Sequence, residues 1–111
     1  MIFSLKSPRL WCSKELQDIF AFELIGPKGT FLDLGCYHPF DGSNSAGLEA
    51  MGWTGLLFDI RERWTTMCKQ HRKSPVFLTD VTTDEFAKIL TENLPSKEVD
   101  YISIDVDEAG L

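Results

Sequence analysis

The sequence predicts an α/β protein built on a doubly wound, mostly parallel, Rossmann-like sheet. Four short segments rich in apolar residues are typical of buried strands, and segments with helical spacing of apolar residues lie between them. Parallel strands need long crossover connections, which these helices would supply while covering both faces of the sheet. We therefore expect a sheet with the strand order 3-2-1-4.

The first predicted helix covers about residues 13–25. Ser13 is a suitable N-cap, and Gly26-Pro27 ends the helix because proline cannot continue it. Four apolar side chains recur at helical spacing and are expected to form the buried face: Leu16, Ile19, Phe20 and Leu24.

The remaining elements alternate between strand and helix. Strands are predicted over 30–34, 54–59, 76–78 and 100–106. Helices are predicted over 44–51 and 61–72, the second with Trp64, Met67 and Cys68 on one face. Thr82 and Glu85 have the spacing of a capping box, so a third crossover helix is expected there, with Phe86, Ile89 and Leu90 as its apolar face.

Composition excludes several classes of protein. A chain of 111 residues with 43% hydrophobic and 25% charged residues is expected to form a single domain over 1–111. The net charge of -6 disfavours a nucleic-acid partner, and no apolar run approaches the length of a membrane span. We expect no signal peptide, and three cysteines make a disulfide scaffold improbable, so the expected compartment is the reducing cytoplasm.

Four aspartates follow the four predicted strands, namely Asp33, Asp59, Asp80 and Asp105. Ligands of open α/β sheets bind outside the carboxyl ends of the strands, where carboxylates accept hydrogen bonds from hydroxyl and ammonium groups. An acid after the second strand, as Asp59 is, holds the ribose of a nucleotide cofactor in many such proteins. The loop Gly35–Gly42 lacks the G-x-G-x-x-G pattern that cradles a pyrophosphate, so S-adenosylmethionine is expected rather than a dinucleotide.

Other conspicuous residues have structural interpretations. Trp53 is expected in the core, Ser43 and Asn44 as helix caps, and Arg72 at a solvated helix end that favours a cation. His38 is interpreted either as a general base or as a residue that orders its loop. The pairs Cys36/His38 and Cys68/His71 make zinc conceivable, but nothing in their spacing joins them, and no metal site is predicted.

A longer set of short motifs resembles a known family. It comprises Phe31–Cys36, His38-Pro39, Ser43-Asn44, Leu48-Glu49, Gly52–Gly55, Asp59, Arg72 and Asp100–Asp105. The first is similar to motif I of class I methyltransferases. The whole set, over residues 30–111, resembles the FkbM-type S-adenosylmethionine-dependent methyltransferases.

The resemblance implies a role for each matching residue. The backbone at Gly35 and Cys36 would approach the methionine part of the cofactor, with Asp33 supporting that loop. Asp59, where the family more often has Glu, would accept from the ribose hydroxyls.

Further along the chain, Asp80 and Val81 would contact adenine, and Asp105 would face the methionine ammonium or the acceptor. His38 and Asp105 are the candidates for a general base.

The chain departs from the family pattern at its end. The family usually has Asp-x-Glu-Gly after the fourth strand, whereas this chain has Asp105-Val-Asp-Glu-Ala-Gly110. The family domain also continues through further strands, so we expect the chain to be the N-terminal portion of such a domain. The fourth strand would then be a free edge through which the chain self-associates or binds a partner chain.

The expected function is methyl transfer to an oxygen of a small molecule, either a sugar or a secondary metabolite. The alternatives are a truncated, non-catalytic domain of the same fold and, less favoured, a nicotinamide oxidoreductase.

Overall fold

A computed structural model describes residues 11–14, 16–94 and 98–105. Along the chain the elements are α1 (Gln17–Ile25), β1 (Thr30–Leu34), α2 (Ala46–Ala50), β2 (Thr54–Asp59), α3 (Glu62–His71), β3 (Val76–Leu78), α4 (Asp84–Asn93) and β4 (Tyr101–Ile104). The four strands form one sheet in the order β3-β2-β1-β4, and every neighbouring pair is parallel. This confirms the predicted α/β class and strand order, in a Rossmann-like arrangement.

Residues that alternate along the strands face two separate hydrophobic clusters, as the period of two in a strand requires. Phe31 and Leu57 point to one face, where they pack with Leu48, Trp53 and other side chains from the α1–α3 side. Leu32, Leu34, Leu56 and Phe58 point to the other face, where the side chains of α4 cover them. Helices therefore cover both faces, which explains why the strands are almost continuously apolar.

Helix α1 does not bury the face that the sequence predicted. Phe20 and Leu24 are 68% and 71% exposed, and Leu16, with a φ of 65°, lies just before the helix and is also exposed. Ile19 is buried as expected, but its buried companions are Asp18 and Ala21. The Asp18 carboxylate accepts hydrogen bonds from the backbone N–H groups of Ser13 and Ile19, at 3.0 and 2.8 Å. These bonds turn the polar residue inward.

The capping box predicted before α4 is wrong. Thr82 Oγ1 donates to the Asp80 carboxylate, and the Glu85 carboxylate accepts from Thr79 Oγ1 at 2.5 Å. The apolar face predicted for α4 is confirmed, since Phe86, Ile89 and Leu90 pack on the sheet. Strand β4 begins one residue later than expected, and the end predicted for it at Val106 lies outside the described residues.

Strand β4 forms one border of the described sheet, and its outward residues are apolar. Ile102 and Ile104 are 50% and 69% exposed, on the same sheet face as Leu32 and Leu34. We expect the 111-residue chain to self-associate, because an apolar strand edge templates pairing with another chain. Light scattering after size-exclusion chromatography should show a mass that rises with concentration, and Ile104→Lys should reduce it.

Ile60 offers a matched control, because it is also exposed and directly follows β2, which β1 separates from β4. Ile60→Lys therefore removes a similar apolar side chain away from the β4 edge. A wild-type chain that stays monomeric at every concentration would contradict the expected self-association.

Within the described ranges, none of the helices has the length and apolar character needed to cross a bilayer.

Candidate functional site

A cavity of about 260 Å³ opens at the carboxyl ends of β1 and β4. The strand order reverses between these two strands, which is where open α/β sheets bind their ligands. Its described lining is Lys14, Asp33, Gly35, Cys36, Tyr37, Asp41, Gly42, Ser43, Asn44 and Asp105. The fold thus brings together four of the residues predicted from the sequence: Asp33, Gly35, Cys36 and Asp105.

Asp33 lies at the buried end of the cavity and is only 2% exposed. Its carboxylate accepts a hydrogen bond of 2.5 Å from Ser45 Oγ. Burial raises the pKa of Asp33 to about 6, against the opposing effects of the Ser45 hydrogen bond and the Arg72 charge. The nearby carboxylates of Asp105 and Asp59 raise the pKa further. A cation in the cavity would therefore be attracted to this site.

The turn after β1 is held against β2. The backbone N–H groups of Gly35 and Cys36 both donate to the carbonyl oxygen of Phe58, at 2.8 and 3.0 Å. Gly35 has a φ of 90°, a conformation that side chains with a Cβ rarely adopt. On the other side of the cavity, Asp105 N–H donates to the Leu34 carbonyl at 2.8 Å, which places the exposed Asp105 at the rim.

Asp59 follows β2 as predicted but lies outside the described lining of the cavity. It is 5% exposed, and its two carboxylate oxygens accept from the backbone N–H groups of Tyr37 and Arg61, at 3.1 and 2.9 Å. Each oxygen keeps a second lone pair for another donor. Asp59 thus ties the loop after β1 to the start of α3, whatever else it binds.

Replacing Asp59 with alanine is expected to lower the free energy of unfolding by about 1.5–3 kcal/mol, because two backbone donors lose a charged acceptor. Urea denaturation measures this loss. Asp59→Asn is the matched variant, since its side-chain oxygen preserves one of the two bonds, and it should be destabilised less. Equal stability of the wild-type and Asp59→Ala chains would show that these bonds contribute nothing.

Asp80 and Val81, which the sequence associated with adenine, also lie outside the described cavity lining. The Asp80 carboxylate accepts from the Thr82 hydroxyl and backbone N–H, at 2.7 and 2.9 Å, and these bonds lower the pKa of Asp80. Val81 is half-buried and packs against the cluster under α4. Both residues shape the turn between β3 and α4.

One ring nitrogen of His38 is hydrogen-bonded to the backbone of its own loop. Its Nδ1 accepts hydrogen bonds from the backbone N–H groups of Phe40 and Asp41, at 3.0 and 2.9 Å. In the neutral ring the proton therefore lies on Nε2. This geometry favours the loop-ordering interpretation of His38, since a role as general base would require these two bonds to break.

Arg72 is not at a solvated helix end, and that prediction is wrong. Although it follows the last residue of α3, it is 6% exposed and forms an ion pair of 3.1 Å with Glu49. Its guanidinium also donates to the Pro39 carbonyl and to the hydroxyls of Ser43 and Ser45, at 3.1, 3.3 and 3.0 Å. The chain Arg72–Ser45–Asp33 connects the end of α3 to the buried carboxylate of the cavity.

The structural roles predicted for Ser43, Asn44 and Trp53 are confirmed only in part. Ser43 is not the N-cap of α2, which is Ser45, but its Oγ accepts from the N–H groups of Ser45 and Ala46 and so supports the start of the helix from two residues before the N-cap. Asn44 does not act as a cap through its amide, which accepts from Ser13 Oγ at 2.6 Å and donates to Ser103 Oγ at 2.9 Å. Trp53 is in the core, 2% exposed, and its indole N–H donates to the Gly26 carbonyl.

Five lining residues with polar side chains were not predicted as part of a site: Lys14, Tyr37, Asp41, Ser43 and Asn44. Of these, Ser43 and Asn44 were interpreted only as helix caps. Lys14 precedes α1 and reaches the cavity because the chain before that helix packs beside the loop at Gly42. Its position depends on tertiary packing, and no local sequence signal marks it.

Two cysteines that the sequence did not connect lie together. Cys36 Sγ and Cys68 Sγ are 3.7 Å apart, and both side chains are buried. The hydrogen bond with Cys68 and burial raise the pKa of Cys36; the same bond lowers the pKa of Cys68, aided by the Arg72 charge and opposed by burial. Within the described residues, no three His, Cys, Asp or Glu side chains are grouped to hold a metal ion.

Comparison of the chain with models of protein families, with curated proteins and with solved structures gave no match.

Proposed function

We propose that this chain binds S-adenosylmethionine at the carboxyl ends of β1, β2 and β4 and directs its methyl group to an oxygen of a small-molecule acceptor. The observation that carries the proposal is the cavity at the reversal point of the sheet, with acids on both strands and a glycine turn between them. The resemblance of residues 30–111 to FkbM-type methyltransferases supports the choice of cofactor.

The charges around the cavity suit the amino-acid end of this cofactor. Asp33 and Asp105 are acceptors for an ammonium group, and Lys14 is a cation for a carboxylate. The volume of about 260 Å³ is below the ~300–1,000 Å³ of pockets that enclose a whole drug-sized ligand. The cavity therefore fits the methionine portion, and the nucleoside would lie towards Asp59, outside it.

The cofactor supplies a methyl group on a positively charged sulfur, and the protein supplies proximity and orientation. The turn at Gly35 allows close approach, Asp33 orients the ammonium, and a hydroxyl acceptor needs a group that takes its proton. Asp105 is the better placed base, because it is exposed at the rim while His38 Nδ1 is engaged by the loop.

The engagement of His38 also favours a second candidate, a domain that binds the cofactor without transferring its methyl group. Its two backbone hydrogen bonds use the nitrogen that a base would need. Binding and transfer are therefore separate questions, and the two candidates share the first.

Isothermal titration calorimetry with S-adenosylhomocysteine tests binding, with NADH as the competing ligand. We expect saturable binding of S-adenosylhomocysteine that Gly35→Ala removes. Gly52→Ala is the matched control, since Gly52 also has a positive φ, 104°, but has no atom within 4 Å of an added Cβ and is not among the described lining residues of the cavity. Preference for NADH, or full binding by Gly35→Ala, would contradict the proposal.

Release of S-adenosylhomocysteine from the methylated cofactor, measured with a mixture of sugar and phenolic hydroxyl acceptors, separates the two candidates. Turnover that Asp105→Asn abolishes supports the enzyme. Binding with no turnover supports the non-catalytic domain.

A further inference from the structure

The pair Cys36 and Cys68 joins the cavity loop to helix α3. Cys36 lies two residues after β1 and lines the cavity, and Cys68 lies in the last turn of α3. Their sulfur atoms are 3.7 Å apart, and Cys68 Sγ also donates to the Tyr37 carbonyl at 3.3 Å. Cys68 is therefore in contact with two consecutive residues of the loop, Cys36 and Tyr37.

We propose that Cys36 and Cys68 form a reversible disulfide when a peroxide reaches the cavity, and that this disulfide weakens binding of ligand there. A disulfide needs the two sulfurs at about 2.05 Å, so from their separation of 3.7 Å they must approach by roughly 1.7 Å. The second half of the proposal rests on the proposed function, whereas formation of the bond does not.

The position of Cys36 explains how an oxidant reaches a buried pair. Cys36 is 3% exposed and Cys68 is fully buried, but the cavity that Cys36 lines gives a small peroxide a path to its sulfur. Two hydrogen-bonded thiols lose their first proton as a pair, so the remaining proton is shared between them. The hydrogen bond raises the pKa of Cys36 and lowers that of Cys68, so the first thiolate forms on Cys68, and transfer of the shared proton across the 3.7 Å contact gives the Cys36 thiolate that meets the peroxide.

The reaction balances with hydrogen peroxide as the named oxidant. Cys36 sulfur attacks one peroxide oxygen, the O–O bond breaks, and Cys36 becomes a sulfenic acid with release of hydroxide. Cys68 sulfur then attacks Cys36 sulfur, the S–O bond breaks and the S–S bond forms, with the proton of Cys68 leaving in water. In sum, two thiols and one hydrogen peroxide give one disulfide and two water molecules.

Bond formation should disturb the loop, because two of its contacts change at once. Cys68 loses the S–H that donates to the Tyr37 carbonyl, and Cys36 is drawn towards α3. Tyr37 has a φ of 52°, an unfavourable conformation for a residue with a side chain, so its loop depends on such contacts. Because Tyr37 and Cys36 both line the cavity, its shape changes with the redox state.

The test uses the full chain carrying Cys12→Ser, which leaves only the two thiols in question. After hydrogen peroxide, native-state mass spectrometry should show the monomer mass lowered by about 2 Da, since two hydrogen atoms are lost. Both thiols should become unreactive to alkylation together, and dithiothreitol should restore both. Peptide mapping should find Cys36 joined to Cys68.

Mass gains of one or more oxygen atoms on separate cysteines, or two thiols that persist through the treatment, would overturn the proposal. Cys68→Ala adds a second check, because it should convert the loss of mass into a gain of oxygen at Cys36.

Calorimetry with S-adenosylhomocysteine on the reduced and oxidised protein tests the second half. Binding by the reduced form that weakens at least several-fold on oxidation and returns with dithiothreitol is expected. Equal binding by both forms overturns this half. A disulfide that forms in a protein that does not bind S-adenosylhomocysteine in either state refutes the proposed function and the ligand effect, and leaves the disulfide site standing.

Discussion

Replacing Arg72 with methionine is expected to lower the free energy of unfolding by about 3–5 kcal/mol, the usual cost of removing one partner of a buried ion pair. The guanidinium is fully buried, and Glu49 is 11% exposed, so the variant would leave the Glu49 carboxylate without its cation in a region of low dielectric constant. Methionine preserves much of the apolar stem, so the loss reports mainly on the charge and its hydrogen bonds.

Glu49 depends on Arg72 through more than one contact. Burial acts to raise its pKa, but hydrogen bonds from Ser74 and the Arg72 charge hold the pKa of Glu49 below its usual value. Its carboxylate also accepts from the Lys73 and Ser74 backbone N–H groups, at 3.1 and 2.9 Å. These bonds anchor the turn between α3 and β3 to helix α2.

Lys73→Met is the matched control for Arg72→Met, because Lys73 is the next residue along the chain, is exposed and also carries a positive charge. Its substitution should change the free energy of unfolding by less than about 0.5 kcal/mol. Denaturant titration at pH 7 measures both. If the two variants have equal stability, the buried network does not support the fold in the way proposed.

Replacing Asp33 with asparagine is expected to change how stability depends on pH. Folding raises the pKa of Asp33 from 3.8 to about 6, so the folded chain binds this proton more tightly than the unfolded chain does. The proton stabilises the fold at low pH, and its loss destabilises the fold as pH rises through this interval. A shift of this size corresponds to about 3 kcal/mol, and asparagine removes it.

The measurement is the free energy of unfolding of both chains at several pH values between about 3 and 7. Relative to Asp33→Asn, the wild-type chain should lose about 3 kcal/mol of stability as pH rises over that range. The difference in free energy of unfolding between the two chains at each pH removes the contribution of the other carboxylates. The change in the hydrogen bond with Ser45 adds a difference that does not vary with pH. A difference that is the same at all pH values would show that Asp33 does not titrate abnormally.

A buried acid that destabilises the fold at neutral pH is typical of functional sites, where residues needed for binding or catalysis often lower the stability of the fold. The same variant should therefore lose S-adenosylhomocysteine binding while it gains stability relative to the wild-type chain at neutral pH. Loss of binding together with loss of stability at pH 7 would instead indicate a purely structural carboxylate.

The strands were predictable because their sequence signal is local. Thr30–Leu34, Thr54–Asp59 and Val76–Leu78 have the predicted bounds, since each is a compact apolar run between turn residues. Crossover helices between them require parallel strands, and the order β3-β2-β1-β4 follows the common doubly wound pattern.

The errors lie where distant residues decide the outcome. Helix α1 turns Asp18 inward because the backbone N–H of Ser13 reaches its carboxylate, and no periodicity rule weighs such a bond. Arg72 is buried because it pairs with Glu49, a residue of α2 that lies 23 positions earlier in the chain. Cys36 and Cys68 are 32 positions apart and meet only once β1 and α3 are packed.

The candidate site divides in the same way. Asp33, Gly35, Cys36 and Asp105 could be predicted to share one cavity, because the carboxyl ends of β1 and β4 must meet in this topology. The hydrogen bonds that engage Asp59 and His38 could not be predicted, since they depend on the conformation of the loop after β1.

The central claim is that the ligand binds between the ends of β1 and β4. Amide chemical shifts of the ¹⁵N-labelled chain during titration with S-adenosylhomocysteine test it most directly. Saturable shifts should concentrate at Gly35, Cys36, Gly42 and Asp105, and the exposed face of α4 should stay unchanged. Saturable shifts confined to residues away from this cavity, or no shifts at millimolar ligand, would contradict the claim.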